Sequence, residues 1–321
     1  MNIRFGIIGL GAISNRFAKV LKTAKGAELT AVASREQARS DAFARKYGAK
    51  KAFARYLNLI DDPEVDIVYI GLTNNFHYEM VKLCLEHHKA VLCEKPLVTN
   101  QKDAVELVAL ARANHTFLME AMWTRCLPAY QQAKVWVKAG KIGEVKLIRS
   151  DFNYKAAYDP ESRLFNPKLA GGSLFDVGVY PLEFATGIMT ETPVAVCGQA
   201  QLSPENVDVA AVISLRFTSG ALADLSCGFN VVTPNNAVIY GTKGRIELDS
   251  GYNPRKIELF DEKNKCIARF HQPVTDGFIY QIQHSAESFR NGKLESDLIP
   301  LADTVVCAGI FDKLRKQWGE I

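Results

Sequence analysis

The stretch that most constrains this fold is Gly9-Leu10-Gly11-Ala12-Ile13-Ser14. It directly follows the apolar run Ile3 to Gly9 and leads into a helical pattern carried by Ile13, Phe17, Val20 and Leu21. A buried strand, a glycine turn and a helix, in that order, form the opening unit of a doubly wound α/β sheet. The first glycine permits a tight turn. The second lets a pyrophosphate approach the backbone at the helix N-terminus, where free N–H groups and the helix dipole favour an anion. Ser14 stands where a third glycine is usual, and it is small enough for the helix–strand contact made there. Cofactor contacts are therefore expected from Gly9, Gly11, Ala12 and Ile13.

The alternation continues. Strands are expected at Leu29 to Ala33, Val65 to Ile70, Ala90 to Cys93 and Thr116 to Met119. Helices are expected at Gln37 to Tyr47, Tyr78 to His87 and Asn100 to Ala113, the last with Asn100 as N-cap and Asp103 at N3. Right-handed βαβ crossovers and a parallel sheet covered on both faces follow. This makes residues 1–122 a Rossmann domain. After a helix from Ala129 to Ala139 the pattern changes to strands at Val145 to Tyr154, Val194 to Leu202, Val207 to Phe217, Ala221 to Phe229, Ala237 to Gly241, Arg245 to Leu248 and Lys256 to Phe260. Turn signals at Ser219-Gly220 and Lys243-Gly244 separate some of them. The reading is an antiparallel meander, a large open-faced sheet in an α+β domain spanning residues 123–321. An amphipathic helix from Thr304 to Trp318 is expected to pack back on the first domain.

Composition excludes several classes of function. The net charge of +4 is spread among acids over 321 residues, which is not the basic stripe of a nucleic-acid binder. No apolar run approaches the ~20 residues of a membrane span, and the N-terminus lacks a signal-peptide pattern. The seven cysteines are odd in number and form no C-x-x-C pair, so they read as small buried thiols of a cytoplasmic protein rather than a metal site.

Two places carry chemistry. At the end of the second strand stand Ser34 and Arg35, with Arg39 one turn further on, and no acid to bind a ribose 2′-hydroxyl. Paired guanidinium groups suit a 2′-phosphate, so NADP(H) is favoured. A solvated helix start with Arg35 and Arg39 paired to Glu36 or Asp41 is the alternative, and NAD(H) stays open. Glu94-Lys95-Pro96 ends the strand at residues 90–93, on the edge where ligands bind. Later comes Gly171-Gly172-Ser173-Leu174-Phe175-Asp176-Val177-Gly178-Val179-Tyr180, which in helical form places Asp176 and Tyr180 on one face. Lysine, tyrosine and aspartate suit hydride transfer between alcohol and carbonyl. The tyrosine exchanges the hydroxyl proton, the lysine favours tyrosinate, and the aspartate orients substrate or lysine.

With Gly9 and Gly11, Glu94-Lys95-Pro96 and the run from Gly171 to Tyr180, the chain resembles the glucose–fructose oxidoreductase / inositol dehydrogenase / MocA family over essentially its whole length. Tyr180, where many members carry His, and Met119 to Arg125 look most like its dimeric dihydrodiol dehydrogenase branch, which uses NADP. The resemblance implies an NADP(H)-dependent enzyme acting on a sugar, polyol or trans-diol. Tyr180 would be acid/base, Lys95 its partner, and Asp176 and His77 would lie near the substrate. It implies cofactor contacts at Leu72, Thr73, Asn74, His77, Glu94, Lys95, Trp123 and Arg125, and substrate contacts at Trp123, Phe152, Asp176, Tyr180 and Phe278. It also implies a homodimer formed through the second sheet. The segment Tyr154 to Pro167 departs most from the relatives, leaving the substrate open. The family also includes NAD-linked inositol and amino-sugar dehydrogenases and non-catalytic dinucleotide-binding regulators.

Overall fold

Strands buried on both faces dominate the first part of the chain. Ile67–Ile70, Ala90–Cys93 and Leu118–Glu120 are buried at every residue, as a parallel sheet covered on both sides requires. The structure, a computed structural model, describes residues 2–272 and 276–321. These residues form two compact units. One comprises residues 1–98, 102–123 and 278–304, and the other residues 99–101, 124–277 and 305–321.

The first unit runs β1 (Ile3–Ile8), α1 (Ala12–Leu21), β2 (Ala27–Ala33), α2 (Gln37–Tyr47), β3 (Lys51–Phe53), α3 (Tyr56–Ile60), β4 (Ile67–Ile70), α4 (His77–Glu86), β5 (Ala90–Cys93), α5 (Gln101–Ala113) and β6 (Leu118–Glu120). The parallel strands are ordered β3-β2-β1-β4-β5-β6. The order reverses between β1 and β4, and ligands of such sheets bind outside the strand ends at that point. Phe5, Phe17 and Tyr69 pack there, with the last two rings stacked at 3.6 Å. The sequence reading missed β3 and α3. Residues 278–304, expected in the second domain, lie in this unit, and they include α8 (Phe278–Arg290), which was not foreseen.

The second unit carries α6 (Pro128–Lys138), β7 (Val145–Asn153), a π-helix at Leu174–Gly178 that runs into α7 (Val179–Met189), β8 (Pro193–Leu202), β9 (Asp208–Phe217), β10 (Leu222–Gly228), β11 (Ala237–Gly241), β12 (Gly244–Leu248), β13 (Lys256–Asp261) and β14 (Cys266–His271). Its eight strands are ordered β14-β13-β12-β11-β7-β10-β9-β8. The expected meander needs correcting, because β7 inserts between β11 and β10 and pairs parallel with β10. One sheet face is buried, with Ile148, Ile213, Leu225, Ile239 and Ile246 at 1% exposure or less. The other face is open and presents Val212 and Leu222 to solvent. The last helix, α9 (Leu301–Trp318), packs in this unit from Val305 onward. Phe311 meets Phe175 edge-on at 5.3 Å, and Leu314 and Trp318 lie beside Gly198. No helix among the described residues is long and apolar enough to cross a membrane.

Candidate active site

In the first unit the dinucleotide cradle is built by glycine geometry. Gly9 has φ +84°, and a Cβ there would come within 2.9 Å of the Gly71 backbone. Only glycine suits both constraints. At Gly11 a Cβ would meet nothing within 4 Å, so the space above it is open to a ligand. Gly11 precedes α1, whose N-cap has no side-chain hydrogen bond. Its first N–H groups therefore suit a phosphate, and the cradle fits a dinucleotide. Buried Ser14 donates its hydroxyl to the Gly9 carbonyl.

The end of β2 uses its residues unequally. Ser34 is buried, and its hydroxyl serves the start of α2, donating to the Glu36 carbonyl at 2.8 Å and sharing a hydrogen bond with Ser40 at 2.9 Å. Arg35 and Arg39 are exposed, and Arg39 Nη2 donates to the Leu10 carbonyl of the glycine turn at 3.1 Å. Arg39 thus lies beside the glycine turn, while Ser34 shapes the start of α2.

The ends of β4 and β5 form a braced pair of turns. Leu72 and Thr73 follow Gly71, and Asn74–Phe76 form a short 3₁₀ turn before His77 opens α4. His77 is fully buried, with Nδ1 2.8 Å from the Pro96 carbonyl and Nε2 3.1 Å from the Leu72 carbonyl. Burial lowers its pKa, so the ring is neutral and donates to only one of the two. This geometry stitches the two turns together. Glu94 is buried as well. Its Oε1 accepts from Tyr69 at 2.6 Å, and burial raises its pKa despite that bond and the nearby Lys95. Below it the Lys95–Pro96 peptide is cis, and Leu97 N–H donates to Glu120 at 3.0 Å. Half-buried Lys95 is thus held on a rigid edge of the sheet.

Trp123 and Phe278 are 3% and 1% exposed, with ring centroids 5.4 Å apart. The Arg16 guanidinium lies over both rings, at 4.9 and 3.9 Å. Cation–π packing accounts for them within this unit.

In the second unit the motif from Gly171 to Tyr180 is not a plain α-helix. Leu174–Gly178 is a π-helix, a form often found at functional sites. Asp176 accepts from Arg163 Nη1 at 2.7 Å and from the Tyr154 hydroxyl at 3.1 Å. Burial alone would lower the Arg163 pKa, but Asp176, with help from Tyr154 and Tyr180, raises it. Burial, then Asp176, raises that of Tyr154. Tyr180 is 8% exposed within an aromatic group. Phe152 lies 5.4 Å away and stacks on Tyr252 at 3.9 Å, and Tyr252 meets Tyr180 edge-on at 6.0 Å. The structure thus groups Asp176, Tyr180 and Phe152 with Tyr154, Arg163 and Tyr252. The divergence of residues 154–167 was the only sequence hint of Tyr154 and Arg163, and Tyr252 had none.

Arg125 is enclosed within the second unit. It is 1% exposed, ion-paired to Glu183 at 2.9 Å, and donates to the Glu183 carbonyl at 2.8 and 3.0 Å and to Thr186 at 3.0 Å. Its guanidinium braces α7. Among the described residues no group of His, Cys, Asp and Glu side chains suits a metal.

A Rossmann cradle open at Gly11, joined in one chain to a tyrosine–aspartate helix turn on a large sheet, defines a dinucleotide-linked oxidoreductase. Residues 3–122 match the oxidoreductase family with an NAD-binding Rossmann fold, and residues 130–247 match the GFO/IDH/MocA C-terminal domain. The chain belongs to the Gfo/Idh/MocA family of oxidoreductases. It is 32% identical over 327 residues to the trans-1,2-dihydrobenzene-1,2-diol dehydrogenase of Mus musculus, covering 99% of this chain and 98% of that one. It is 33% identical over 328 residues to that of Xenopus tropicalis, covering 99% of each. Among solved structures, a 3-ketoreductase from Actinomadura kijaniata in complex with NADP and TDP-benzene is 26% identical, with a TM-score of 0.87 over 98% of both chains. An aldose–aldose oxidoreductase from Caulobacter crescentus shares the fold, with a TM-score of 0.88 over 99% of this chain and 98% of that one at 24% identity.

Proposed function

We propose that this enzyme moves a hydride between NADP(H) and a hydroxyl-bearing carbon of a sugar, polyol or trans-diol, with Tyr180 as acid/base, Lys95 as its cationic partner and Asp176 orienting the substrate. The observation that carries the reading is the Asp176 carboxylate held by Arg163 and Tyr154 on the helix turn that bears Tyr180. The names of the diol dehydrogenases and of the NADP-bound ketoreductase support it.

Gly9, Gly11, Ala12 and Ile13 would hold the pyrophosphate, and Arg35 and Arg39 the 2′-phosphate, where charge-assisted bonds are strongest. When bound, the nicotinamide supplies the hydride acceptor or donor. In the oxidative direction the substrate C–H bond breaks with its electron pair and the carbonyl forms. Tyrosinate takes the hydroxyl proton, and positive charge from Lys95 favours that tyrosinate. His77 and Glu94 hold the Leu72 and Lys95 turns.

On the same reading the protein is cytoplasmic and forms a homodimer through the open sheet face. Val212 and Leu222, exposed on that face among polar residues, support the second point, because burying them would remove apolar area from water. The test is the affinity ratio for NADPH over NADH in wild type, Arg35→Ala and Arg39→Ala, read with turnover on aldoses, inositols and trans-diols. A ratio above one that collapses in both variants is expected. A ratio unmoved by either substitution would remove the arginine assignment.

A further inference from the structure

One carboxylate outside the expected site shapes the helix turn that carries it. Asp208, the first residue of β9, is 2% exposed. Its Oδ2 accepts from the Ser173 hydroxyl at 2.5 Å and from the Leu174 N–H at 2.7 Å. Leu174 opens the π-helix, so Asp208 takes up an N–H that the helix leaves free there. Its Oδ1 fills the place of a side chain at residue 172. A Cβ there would overlap it, and Gly172 has φ +120°. At the other end of the π-helix a Cβ on Gly178 would come within 2.8 Å of Cys227 Sγ, which lies 3.6 Å from the Ser173 hydroxyl. Asp208 and Cys227 thus grip both ends of the turn, and they explain why glycine stands at 172 and 178.

We infer that Asp208 is a positioning residue: by holding Ser173 and Leu174 it sets the register of the π-helix, and with it the direction of Asp176 and Tyr180. The inference rests on the reading of those two residues given above. A helix cap alone would stabilise the fold without touching the chemistry. The surroundings of Asp208 provide a way to separate the two roles. Ser173 and Leu174 face it from the helix, Cys227 from β10, and Glu320, held by Arg315 at 2.8 Å, from the C-terminal segment. Burial, reinforced by Glu320, pushes the Asp208 pKa up to about 7 against the two hydrogen bonds. The ionised carboxylate grips the helix N-terminus more strongly than the neutral acid does. The grip should therefore loosen as pH falls through neutrality.

The experiment is kcat against pH, from 5.5 to 8.5, for wild type, Asp208→Asn and Ser173→Ala, with NADPH affinity measured alongside. Asparagine keeps an acceptor for both donors but does not titrate. Turnover in wild type should rise through about pH 7. In Asp208→Asn it should fall by up to about 10²-fold, the scale of a reacting group displaced by about 1 Å, and lose that limb, while NADPH affinity stays within about twofold. Removing the Ser173 hydroxyl takes away a bond that lowers the Asp208 pKa, so Ser173→Ala should move the limb to higher pH. Wild-type turnover and an unchanged profile in Asp208→Asn would overturn the inference. So would an unmoved limb in Ser173→Ala, which keeps the test open where Asp208→Asn fails to fold. Retained turnover in Tyr180→Phe would instead sink the acid/base reading, while the Ser173→Ala displacement reports on Asp208 whichever group carries the proton.

Discussion

Ser14 occupies the space that Gly71 leaves empty. A Cβ on residue 71 would overlap the Ser14 hydroxyl oxygen, which donates to the Gly9 carbonyl. The helix–strand packing usually provided by a third glycine is thus shared between α1 and the end of β4. Gly71→Ala should destabilise the protein by about 1–3 kcal/mol through overpacking. Adding Ser14→Ala should recover much of that loss. Denaturant unfolding of both singles and the double checks this. Additive losses would show that the two residues do not share the space.

Tyr180→Phe removes the group assigned to proton exchange and leaves the ring in contact with Phe152 and Tyr252. Turnover should fall by about 10²–10⁴, the range for a lost general acid/base. NADPH affinity should change by less than about twofold, since the cradle lies in the first unit. Steady-state kinetics with a parallel binding titration gives both numbers.

Arg163→Ala should leave the Asp176 carboxylate without its 2.7 Å partner. The Arg163 side chain is 55% exposed, so little stability should be lost. The loss should appear in kcat/KM for the hydroxyl substrate, on the order of 10-fold for a charged hydrogen bond at a positioned group. Arg163→Lys should recover part of it. Equal activity in all three proteins would detach Arg163 from the site.

Glu183→Gln should strand the Arg125 charge at 1% exposure on both sides of the pair. Breaking a buried ion pair from one side costs about 3–5 kcal/mol, roughly 10 °C in unfolding midpoint for a chain unit of this size. Arg125→Met with Glu183→Met should be closer to wild type than either single change. Thermal unfolding of the four variants decides whether this pair braces α7.

Much of the first unit was legible in the sequence because its strands are buried on both faces and appear as uninterrupted apolar runs. Gln37–Tyr47 and Ala90–Cys93 fall where the pattern places them. Lys51–Phe53 escaped notice because three half-buried residues give neither a run nor an alternation. In the second unit seven strand positions were readable, but β14 at Cys266–His271 was missed and so was the parallel pairing of β7 with β10, since alternation along a strand says nothing about its neighbour. The π-helix was hidden for a similar reason, because Leu174–Gly178 with α7 is buried nearly all round and lacks an amphipathic period. The Arg125–Glu183 pair was not readable because its partners lie 58 residues apart. Arg163 and Tyr252 sit on irregular segments, where no periodicity marks a functional side chain.

The central claim is that Arg35 and Arg39 beside an open Gly11 cradle bind NADP(H) for turnover of a hydroxyl substrate. Fluorescence titration of the purified protein with NADPH and NADH, followed by turnover on aldoses, inositols and trans-diols, tests it most directly. The account predicts tighter NADPH binding, by about 10-fold or more for a charge-assisted phosphate contact, with turnover on a sugar or trans-diol. Preferential NADH binding, or NADPH binding with no turnover across the panel, would contradict it.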